Sequence, residues 1–527
     1  MSIFSNLSLA SVPLPSDPTT LFAGYKGIGI TTAIVVAYLL IVLAIGYWAT
    51  RKTKSSKDFF IAGKQIGTVA LALAAFSATL SGFLFVGAPG LIYKIGTSAM
   101  WFTLSTALAY TVLWVVSGKR MRLLVEVKDV MTVADAIKAR FDSRFAAGLA
   151  GVATLIGVVL YLATQLLAMG VILSYVFGIS VTTAVIIGMV ITLLYAIGGG
   201  MLAGIYTDVF QGFMMAITSI VIFSYALTAG DGMMNITNVI AQSPALAEGG
   251  LGYKFVGPFG LVPPILAMSW FFLFALGVIG QPHLVHKFFM VKDIKKLRHG
   301  ALLTTIPAII SGFLAFGVGM VVKSKVLSGE LTALANADDA ITVFLLTYTT
   351  PVLTGLAFAG IASAIMSTAD SFINIASAAA VRDLPNAFGK SLSEKAELNW
   401  GRITSLALGL VAVLLAVSLS SEGIALLGAF GWGTFAAALA PAIGLGFNWK
   451  RATKEGAIAS IAAGLILGIG LEMAKNLNMA WYTEGLGSLG IYNGVFALSI
   501  SAIVFIVVSM ITKPAKLDKD MEAVIDL

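Results

Sequence analysis

The residues best suited to chemistry in this chain lie in one apolar stretch, Gly360-Ile-Ala-Ser-Ala-Ile-Met-Ser-Thr-Ala-Asp-Ser-Phe-Ile-Asn374. At about 100° per residue on a helix, four of them share one face: Ala364, Ser367, Thr368 and Ser371. Asp370 and Asn374 lie beside Ser367 at the edge of that face. Oxygen atoms on one side of an otherwise apolar helix are ligands suited to a dehydrated hard cation. The pattern therefore predicts a cation site inside a membrane.

A second carboxylate, Asp208, follows the glycine-rich turn at 198–200 and enters another apolar segment. Two interpretations are open. Asp208 is an acid favoured by a helix N-terminus, or it belongs to a second cation site and faces Ser367, Asp370 and Ser371 across a helix bundle. Asp370 has its own alternative role, because polar side chains also join membrane helices by hydrogen bonds.

The composition of the chain is that of a polytopic membrane protein. Its 527 residues are 58% hydrophobic and 11% charged, with a mean hydropathy of +0.96. We expect a single transmembrane domain at 28–513, preceded by an outer segment at 1–27 and followed by a short inner tail at 514–527. About thirteen segments are long enough to cross roughly 30 Å of hydrocarbon: 28–49, 66–93, 98–118, 145–176, 180–198, 203–228, 261–289, 300–323, 341–380, 402–421, 424–447, 453–475 and 486–512.

The basic residues predict the orientation of these segments. With the N-terminus outside, the predicted outer loops hold only a few of the 33 lysines and arginines: Lys26, Lys94, Lys254, Lys323, Lys325 and Lys475. This bias is the positive-inside rule, and it explains the excess of basic residues without a nucleic acid partner. No phosphate-binding loop or dinucleotide motif indicates a nucleotide. No lysine or arginine is expected in the middle of a span.

An enzyme is not expected, because the predicted spans contain no nucleophile constellation or cluster of histidine and carboxylate. The three histidines are predicted to be interfacial: His283, His286 and His299. Zero cysteines exclude thiolate metal sites and disulfides.

Two of the predicted spans are interrupted. The second contains the small-residue run 74–83 followed by Gly87-Ala-Pro-Gly90, and the seventh contains Gly277-Val-Ile-Gly-Gln-Pro-His283. Such runs either unwind a helix, freeing backbone groups for a ligand, or allow close helix packing. Each interrupted span opens a block of five segments, at 66–228 and 261–447. Paired blocks of this kind are typical of an inverted-repeat transporter.

At these residues the chain resembles the sodium/solute symporter family, the bacterial carriers of proline, pantothenate, acetate, sugars and sialic acid. The motifs that carry the resemblance are Asp58-Phe-Phe-Ile-Ala-Gly-Lys64, Ser81-Gly82, Gly198-Gly199 with Thr207-Asp208 and Gln211, Gly280-Gln-Pro-His283, and Ala364 with Ser367-Thr368. The resemblance implies an all-α fold of the leucine-transporter type. One helix would precede a core of two inverted five-helix repeats, and two helices would follow it.

The resemblance also implies sodium as the coupling ion and assigns its ligands. One sodium site would use the backbone carbonyls and side-chain hydroxyls of five residues: Ser77, Leu80, Ala364, Ser367 and Thr368. Because neutral hydroxyls and carbonyls do not exchange protons near neutral pH, such a cage favours a metal ion over a proton. Some family members have a second sodium, which here would use Asp208, Asp370 and Ser371 together with Ser367.

The solute is expected between the two interrupted helices, in a pocket lined by six residues: Thr79, Ser81, Phe83, Gln165, Trp270 and Phe274. Ala168 stands where a sialic acid carrier has an arginine, and Thr79 where a proline carrier has an aspartate. A small monocarboxylate or an amino or imino acid fits best, with pantothenate or another larger solute as the alternative.

We therefore expect sodium-coupled symport into the cell by alternating access. The expected location is the bacterial cytoplasmic membrane, with the N-terminus outside and the C-terminus inside. A proton-coupled carrier that uses Asp208 or Asp370 as the relay is the other alternative.

Overall fold

The structure is a computed structural model that describes residue 25 and residues 27–51, 61–62, 66–418, 423–514 and 516–527. Apart from one isolated bridge between Ile66 and Val291, the regular structure in these residues is helical. The α-helices are α1 (Ile28–Thr50), α2 (Thr68–Thr79), α3 (Ala88–Ile95), α4 (Met100–Val112), α5 (Lys119–Val127), α6 (Val133–Phe141), α7 (Arg144–Phe177), α8 (Val181–Ala229), α9 (Met233–Ala241), α10 (Leu251–Val256), α11 (Pro264–Gly277), α12 (Pro282–Val285), α13 (Gly300–Leu327), α14 (Ala340–Tyr348), α15 (Pro351–Ala378), α16 (Leu384–Ala387), α17 (Glu394–Ser418), α18 (Ile424–Ala440), α19 (Lys454–Asn476), α20 (Asn493–Ile511) and α21 (Lys519–Ile525). Nearly all of the predicted outer segment 1–27, and most of the motif at 58–64, lie outside the described residues.

The expectation of an all-helical membrane protein is confirmed. Within the described ranges, ten helices are long and apolar enough to cross a membrane, or eleven when the bent pair Pro264–Gly280 and Pro282–Met290 counts as one span. Two shorter apolar helices, Thr68–Thr79 and Val181–Leu194, accompany them. Every segment predicted from the sequence contains a helix, while the number thirteen itself remains a prediction.

The predicted segment at 341–380 is two helices, α14 and α15, in the structure. Proline cannot continue a preceding helix and disfavours helical backbone in the residue before it. Thr350, which precedes Pro351, is accordingly extended (φ −75°, ψ 154°), and its hydroxyl accepts the Leu353 N–H as the cap of α15. The chain therefore turns at 349–350 before it enters the helix that carries the hydroxyl face.

The predicted boundary between the fifth and sixth spans coincides with a kink in α8, where two helices join end to end. Gly200 interrupts its helical geometry with φ 54° and ψ −147°. Residues with a side chain rarely adopt a positive φ, so glycine is the residue that allows the kink. The kink lies eight positions before Asp208, which is therefore within a helix rather than in its first turn.

The first interrupted helix breaks between α2 and α3. Leu80 follows the end of α2 in an extended conformation (φ −80°, ψ 115°), and its side chain is buried. The helix restarts when the Ser81 carbonyl accepts the N–H groups of Leu84 and Phe85 at 2.9 and 3.1 Å. Three residues, 80–82, thus separate α2 from a π-helical turn, Phe83–Gly87, that continues into α3.

The second interrupted helix breaks between α11 and α12, with a bend of 49°. Gln281 is extended at the break (φ −83°, ψ 102°), and Pro282 starts the next turn. The start of the first interrupted helix is linked to the end of the second, because Ile66 N–H donates to the Met290 carbonyl at 3.1 Å and Lys292 N–H donates to the Ile66 carbonyl at 2.9 Å. The breaks therefore belong to one connected unit.

Helix α15 lies at the centre of the bundle, in contact with α1, α2, α7 and α8. From Ala357 to Ala378 its residues are all buried. Small residues allow this close approach: a Cβ at Gly360 would lie 2.2 Å from the Thr218 hydroxyl of α8. The predicted hydroxyl face is thereby held against neighbouring helices rather than against lipid.

Two buried carboxyl groups, Asp338 and Asp339, lie just before α14. Asp338 accepts the N–H of Ile424, the first residue of α18, at 2.9 Å, and Asp339 shares a hydrogen bond with the Tyr175 hydroxyl. Burial raises the pKa of Asp338 to about 6, against the smaller opposing effects of the Ile424 N–H and Lys94. Burial, together with the charge of Asp338, raises the pKa of Asp339 to about 7.

These two groups predict a pH dependence of stability. Because the folded protein holds both protons more tightly than the unfolded chain does, stability falls as pH rises from about 4 through 7. We expect the thermal midpoint of the detergent-solubilised protein, measured by intrinsic fluorescence, to fall by roughly 2–4 °C between pH 5.5 and 8. Asp339→Asn should reduce the fall of the thermal midpoint with pH above pH 6.5. Asp129→Asn, at an exposed carboxylate, is the control, and equal slopes in both variants would contradict the assignment.

Candidate functional site

Two hydroxyls of α15 meet backbone carbonyls of α2 just before its break. The Ser367 hydroxyl lies 2.9 Å from the Ser77 carbonyl oxygen and 3.1 Å from that of Ala364. The Thr368 hydroxyl lies 3.1 Å from the Ala78 carbonyl oxygen and 3.0 Å from that of Ala364. The hydroxyls that were predicted to share one face of α15 thus contact the first interrupted helix.

The chemistry of this cluster suits sodium. Its polar atoms are neutral hydroxyl and carbonyl oxygens, the ligands that hard cations prefer, and its side chains are buried. Because the backbone of Leu80 is extended, its carbonyl does not point along the axis of α2 as a helical carbonyl does. Leu80 directly adjoins the cluster along the chain. The structure therefore brings four of the predicted residues together, Ser77, Ala364, Ser367 and Thr368, with Leu80 at the adjoining break. The assignment of sodium to them remains a prediction.

The second predicted cation site contains a lysine that sequence reasoning did not identify. The Lys287 ammonium lies 2.7 Å from Asp208 Oδ2 and 3.4 Å from the Ser371 hydroxyl. Asp208 Oδ1 accepts a longer hydrogen bond, 3.4 Å, from the Ser77 hydroxyl. Lys287 and Asp208 are 1% and 0% exposed, so this ion pair is isolated from solvent.

Asp370 does not join this ion pair in the same way. Its Oδ1 accepts the Asn374 side-chain amide at 3.0 Å. Its Oδ2 is buried and has no hydrogen-bond partner among the described residues. A Cβ at Gly204 would lie 2.2 Å from that oxygen, so the carboxyl group rests against the backbone of α8. Of the residues predicted for the second site, Asp208 and Ser371 therefore both contact the Lys287 ammonium, whereas Asp370 contacts Asn374.

The position of Lys287 differs from the expectation that lysines and arginines stay out of the middle of the spans. Although Lys287 is near the inner end of a predicted span, its ammonium lies among α8 and α15. The expectation that His283 and His286 are interfacial is also wrong: both are buried. His283 packs against Phe372, and His286 Nε2–H donates to the Met131 carbonyl at 2.7 Å. A single lysine between the helix break and Phe288-Phe-Met290 was the available signal.

The aromatic residues predicted around the solute pack against one another. The Phe83 ring stacks on Phe274, with centroids 5.3 Å apart, and Phe274 stacks on Trp432 at 5.0 Å. Trp270 stacks on Phe102 at 4.5 Å. The indole N–H groups of Trp270 and Trp432 are buried without a hydrogen-bond partner among the described residues. Phe102 and Trp432 were missed, because their partners come from helices distant in sequence.

The polar residues predicted around the solute lie at the first break. The Ser81 and Tyr161 hydroxyls are 3.1 Å apart, and Gly82 N–H donates to Gln165 Oε1 at 2.9 Å. The Gln165 amide nitrogen is buried and has no partner in the part of the chain that the structure describes. Thr79, by contrast, donates to the Ala75 carbonyl within α2 at 2.7 Å. The first break thus places backbone groups and the Gln165 amide beside the aromatic residues Phe83, Trp270 and Phe274.

Comparison with known proteins agrees with the fold. The model of the "Sodium:solute symporter family" matches residues 59–464. The osmoregulated proline transporter OpuE of Bacillus subtilis (strain 168) is 28% identical over 493 residues, covering 91% of this chain and 94% of OpuE. A sodium/proline symporter of Escherichia coli (strain K12) is 26% identical over 491 residues, covering 90% of this chain and 92% of the symporter.

Among solved structures, a substrate-bound, outward-open Na⁺-coupled sialic acid symporter superimposes with a TM-score of 0.72. The match covers 92% of this chain and 99% of the symporter at 20% identity, which shows a shared fold. That likeness supports the leucine-transporter type of fold. The chain belongs to the sodium:solute symporter family, and it is a multi-pass membrane protein that carries out sodium-coupled symport of a small organic solute.

Proposed function

We propose that this protein takes up proline, or a closely similar amino or imino acid, together with sodium by alternating access. Two proline carriers match it over at least nine-tenths of its length. The aromatic wall of Phe83, Trp270 and Phe274 suits the apolar part of such a solute. The non-helical backbone at Leu80-Ser81 suits its carboxylate, which an unwound helix can bind through N–H groups.

One observation carries the coupling: the hydroxyls of Ser367 and Thr368 contact the carbonyls that directly precede the first break. An ion bound there would hold α2 against α15. It would also fix the backbone at 80–82, two to five residues further along, where the solute binds. Sodium binding from outside thereby orders the solute pocket, and the loaded carrier then opens inward.

The two interrupted helices are the moving unit in this proposal. The start of the first is linked to the end of the second through Ile66, Met290 and Lys292, so they are expected to move together relative to α15. Coupling between ion and solute is reciprocal, because each binds more tightly to the state that the other stabilises.

The driving force is sufficient for strong accumulation. One positive charge gains about 2.3 kcal/mol across 100 mV, and a tenfold sodium gradient adds about 1.4 kcal/mol. Together they support roughly 500-fold accumulation of a neutral solute with one sodium ion.

The topology that we propose has about thirteen spans, an outer N-terminus and an inner C-terminus in a bacterial cytoplasmic membrane. The two core repeats would span 66–228 and 261–447. The break in α2–α3 and the break in α11–α12 support this division, because each lies in the first span of its block.

The test is uptake of radiolabelled proline into proteoliposomes with sodium outside, or with choline in its place. Acetate, pyruvate, other amino acids and pantothenate serve as competitors. Sodium-dependent uptake that unlabelled proline inhibits best would support the proposal. Better inhibition by pantothenate or acetate would replace proline with that compound as the proposed solute. Uptake that depends on pH but not on sodium would contradict coupling at Ser367 and Thr368.

Gln165 provides a more local test of the solute site. Gln165→Ala removes the buried amide nitrogen that has no partner among the described residues and that would donate to the solute carboxylate, a hydrogen bond worth about 1.5–3 kcal/mol. We therefore expect the KM for the solute to rise by roughly 10-fold or more, with a smaller change in the sodium half-saturation. Gln165→Glu keeps the acceptor for the Gly82 N–H but replaces the amide donor with a carboxylate oxygen, so it should raise the solute KM as well. A solute KM unchanged in Gln165→Ala would remove Gln165 from the site.

A further inference from the structure

The second cation site already contains a positive charge that belongs to the protein. The ammonium of Lys287 contacts Asp208 at 2.7 Å and Ser371 at 3.4 Å. These are two of the residues from which a second sodium site was predicted. All three side chains are at most 1% exposed, so water does not replace these contacts.

We propose that the Lys287 ammonium is the permanent cation of this second site, so that one sodium ion accompanies each solute molecule. The inference rests on the proposed function for its transport consequence, but the cation site itself is independent of the solute. It assigns Lys287 as the residue that sets the number of sodium ions bound.

Electrostatic repulsion is the physical reason. A sodium ion that used Asp208 and Ser371 would lie within about 4 Å of the ammonium. Two unit charges at that distance, at an effective dielectric constant of 20, weaken binding by roughly 1,000-fold. The carboxylate of Asp208 is already neutralised by Lys287, so it offers a second ion little net attraction.

The position of Lys287 is fixed by the fold. It follows α12, six residues after the extended Gln281, in a turn at His286–Met290 that is buried throughout. On one side His286 is bonded to the Met131 carbonyl, and on the other Phe288 packs edge-on against Trp114. The ammonium reaches α8 and α15 from the second interrupted helix, as a sodium ion bridging the same helices would.

The two cation sites are adjacent, which makes the count of ions sensitive to this residue. Ser77 connects them: its carbonyl accepts from Ser367 at the first site, and its hydroxyl donates to Asp208 at the second. Removal of the ammonium would leave Asp208 buried and without a counter-ion. A sodium ion could then occupy the oxygens of Asp208 and Ser371.

The test counts radiolabelled sodium bound per purified protein molecule, without solute, by equilibrium binding. We expect one ion in the wild type and two in Lys287→Met. The charge-neutral pair Asp208→Asn/Lys287→Met should return the count to one, because it removes the carboxylate as well. Two ions in the wild type, or one in a monodisperse Lys287→Met protein, would overturn the proposal.

A second variant decides the question even if Lys287→Met does not fold. Ser367→Ala/Thr368→Ala removes the hydroxyls of the first site and leaves Lys287 in place. At the sodium concentration that saturates the wild type, this variant should bind no sodium. A sodium ion that remains bound would show a second site open beside Lys287, against the proposal. Failure of solute-driven sodium uptake would instead contradict the proposed function and leave these counts unaffected.

Discussion

Replacing Thr368 with alanine is expected to raise the sodium concentration for half-maximal transport by roughly 10–100-fold. The hydroxyl is one of the two side-chain oxygens at the first cation site, and a hydrogen-bond partner or ligand of a charged group is worth about 1.5–3 kcal/mol. Ser367→Ala should act similarly. The solute KM at saturating sodium should change much less, because the proposed solute-binding residues do not include Thr368. Initial rates of uptake against sodium concentration measure both quantities.

Two controls isolate the hydroxyl. Thr368→Ser keeps the oxygen and should retain most of the sodium affinity. Ser363→Ala removes another buried hydroxyl of α15, one that donates to the Ala359 carbonyl at 2.8 Å within the same helix, and should leave the sodium dependence near that of the wild type. Unchanged sodium dependence in both Thr368→Ala and Ser367→Ala would show that the ion binds elsewhere.

Breaking the pair between Asp208 and Lys287 is expected to cause the largest loss of stability. When one partner of a buried ion pair is removed, the other charge stays buried, which costs about 3–5 kcal/mol. We expect Asp208→Asn and Lys287→Met each to lower the thermal midpoint by several degrees in sodium-free choline buffer. The charge-neutral double variant should recover most of this loss. Thermal unfolding followed by size-exclusion chromatography measures the effect.

A more exposed ion pair provides the matched control. Lys325 and Glu330 are 2.6 Å apart, but the Glu330 side chain is 50% exposed, and pairs near the surface contribute about 0–1 kcal/mol. Lys325→Met should therefore change the midpoint little. If Lys287→Met were as mild as Lys325→Met, the Asp208–Lys287 pair would not be a buried, mutually dependent interaction.

The helical face of α15 was predictable because periodicity is a local property. Positions three and four residues apart meet on one side of a helix whatever surrounds it, so Ser367 and Thr368 could be assigned to one face. The breaks near Ser81 and Gln281 were also predictable, since small residues and proline change the backbone locally. Long apolar runs similarly determine an all-helical membrane protein, because the bilayer requires satisfied backbone groups.

The prediction of helix boundaries from local sequence features also had limits, and these limits have a physical cause. Pro351 splits a predicted 40-residue segment, whereas the two helices that meet at the Gly200 kink follow each other without a connecting loop. Hydropathy responds to the average of a window and not to the direction of the chain. The helix count therefore depends on breaks as well as on apolar length.

The sequence by itself determined the class of protein, the membrane setting and the two elements that form the predicted sodium site. Only the tertiary structure decided which charges meet. Lys287 and Asp208 are 79 positions apart, and whether a lysine near a span end reaches the interface or turns inward depends on the packing of other helices. The packing of Phe102 on Trp270 and of Trp432 on Phe274 has the same origin. Contacts between distant segments arise when helices pack, and no periodicity along the chain encodes them.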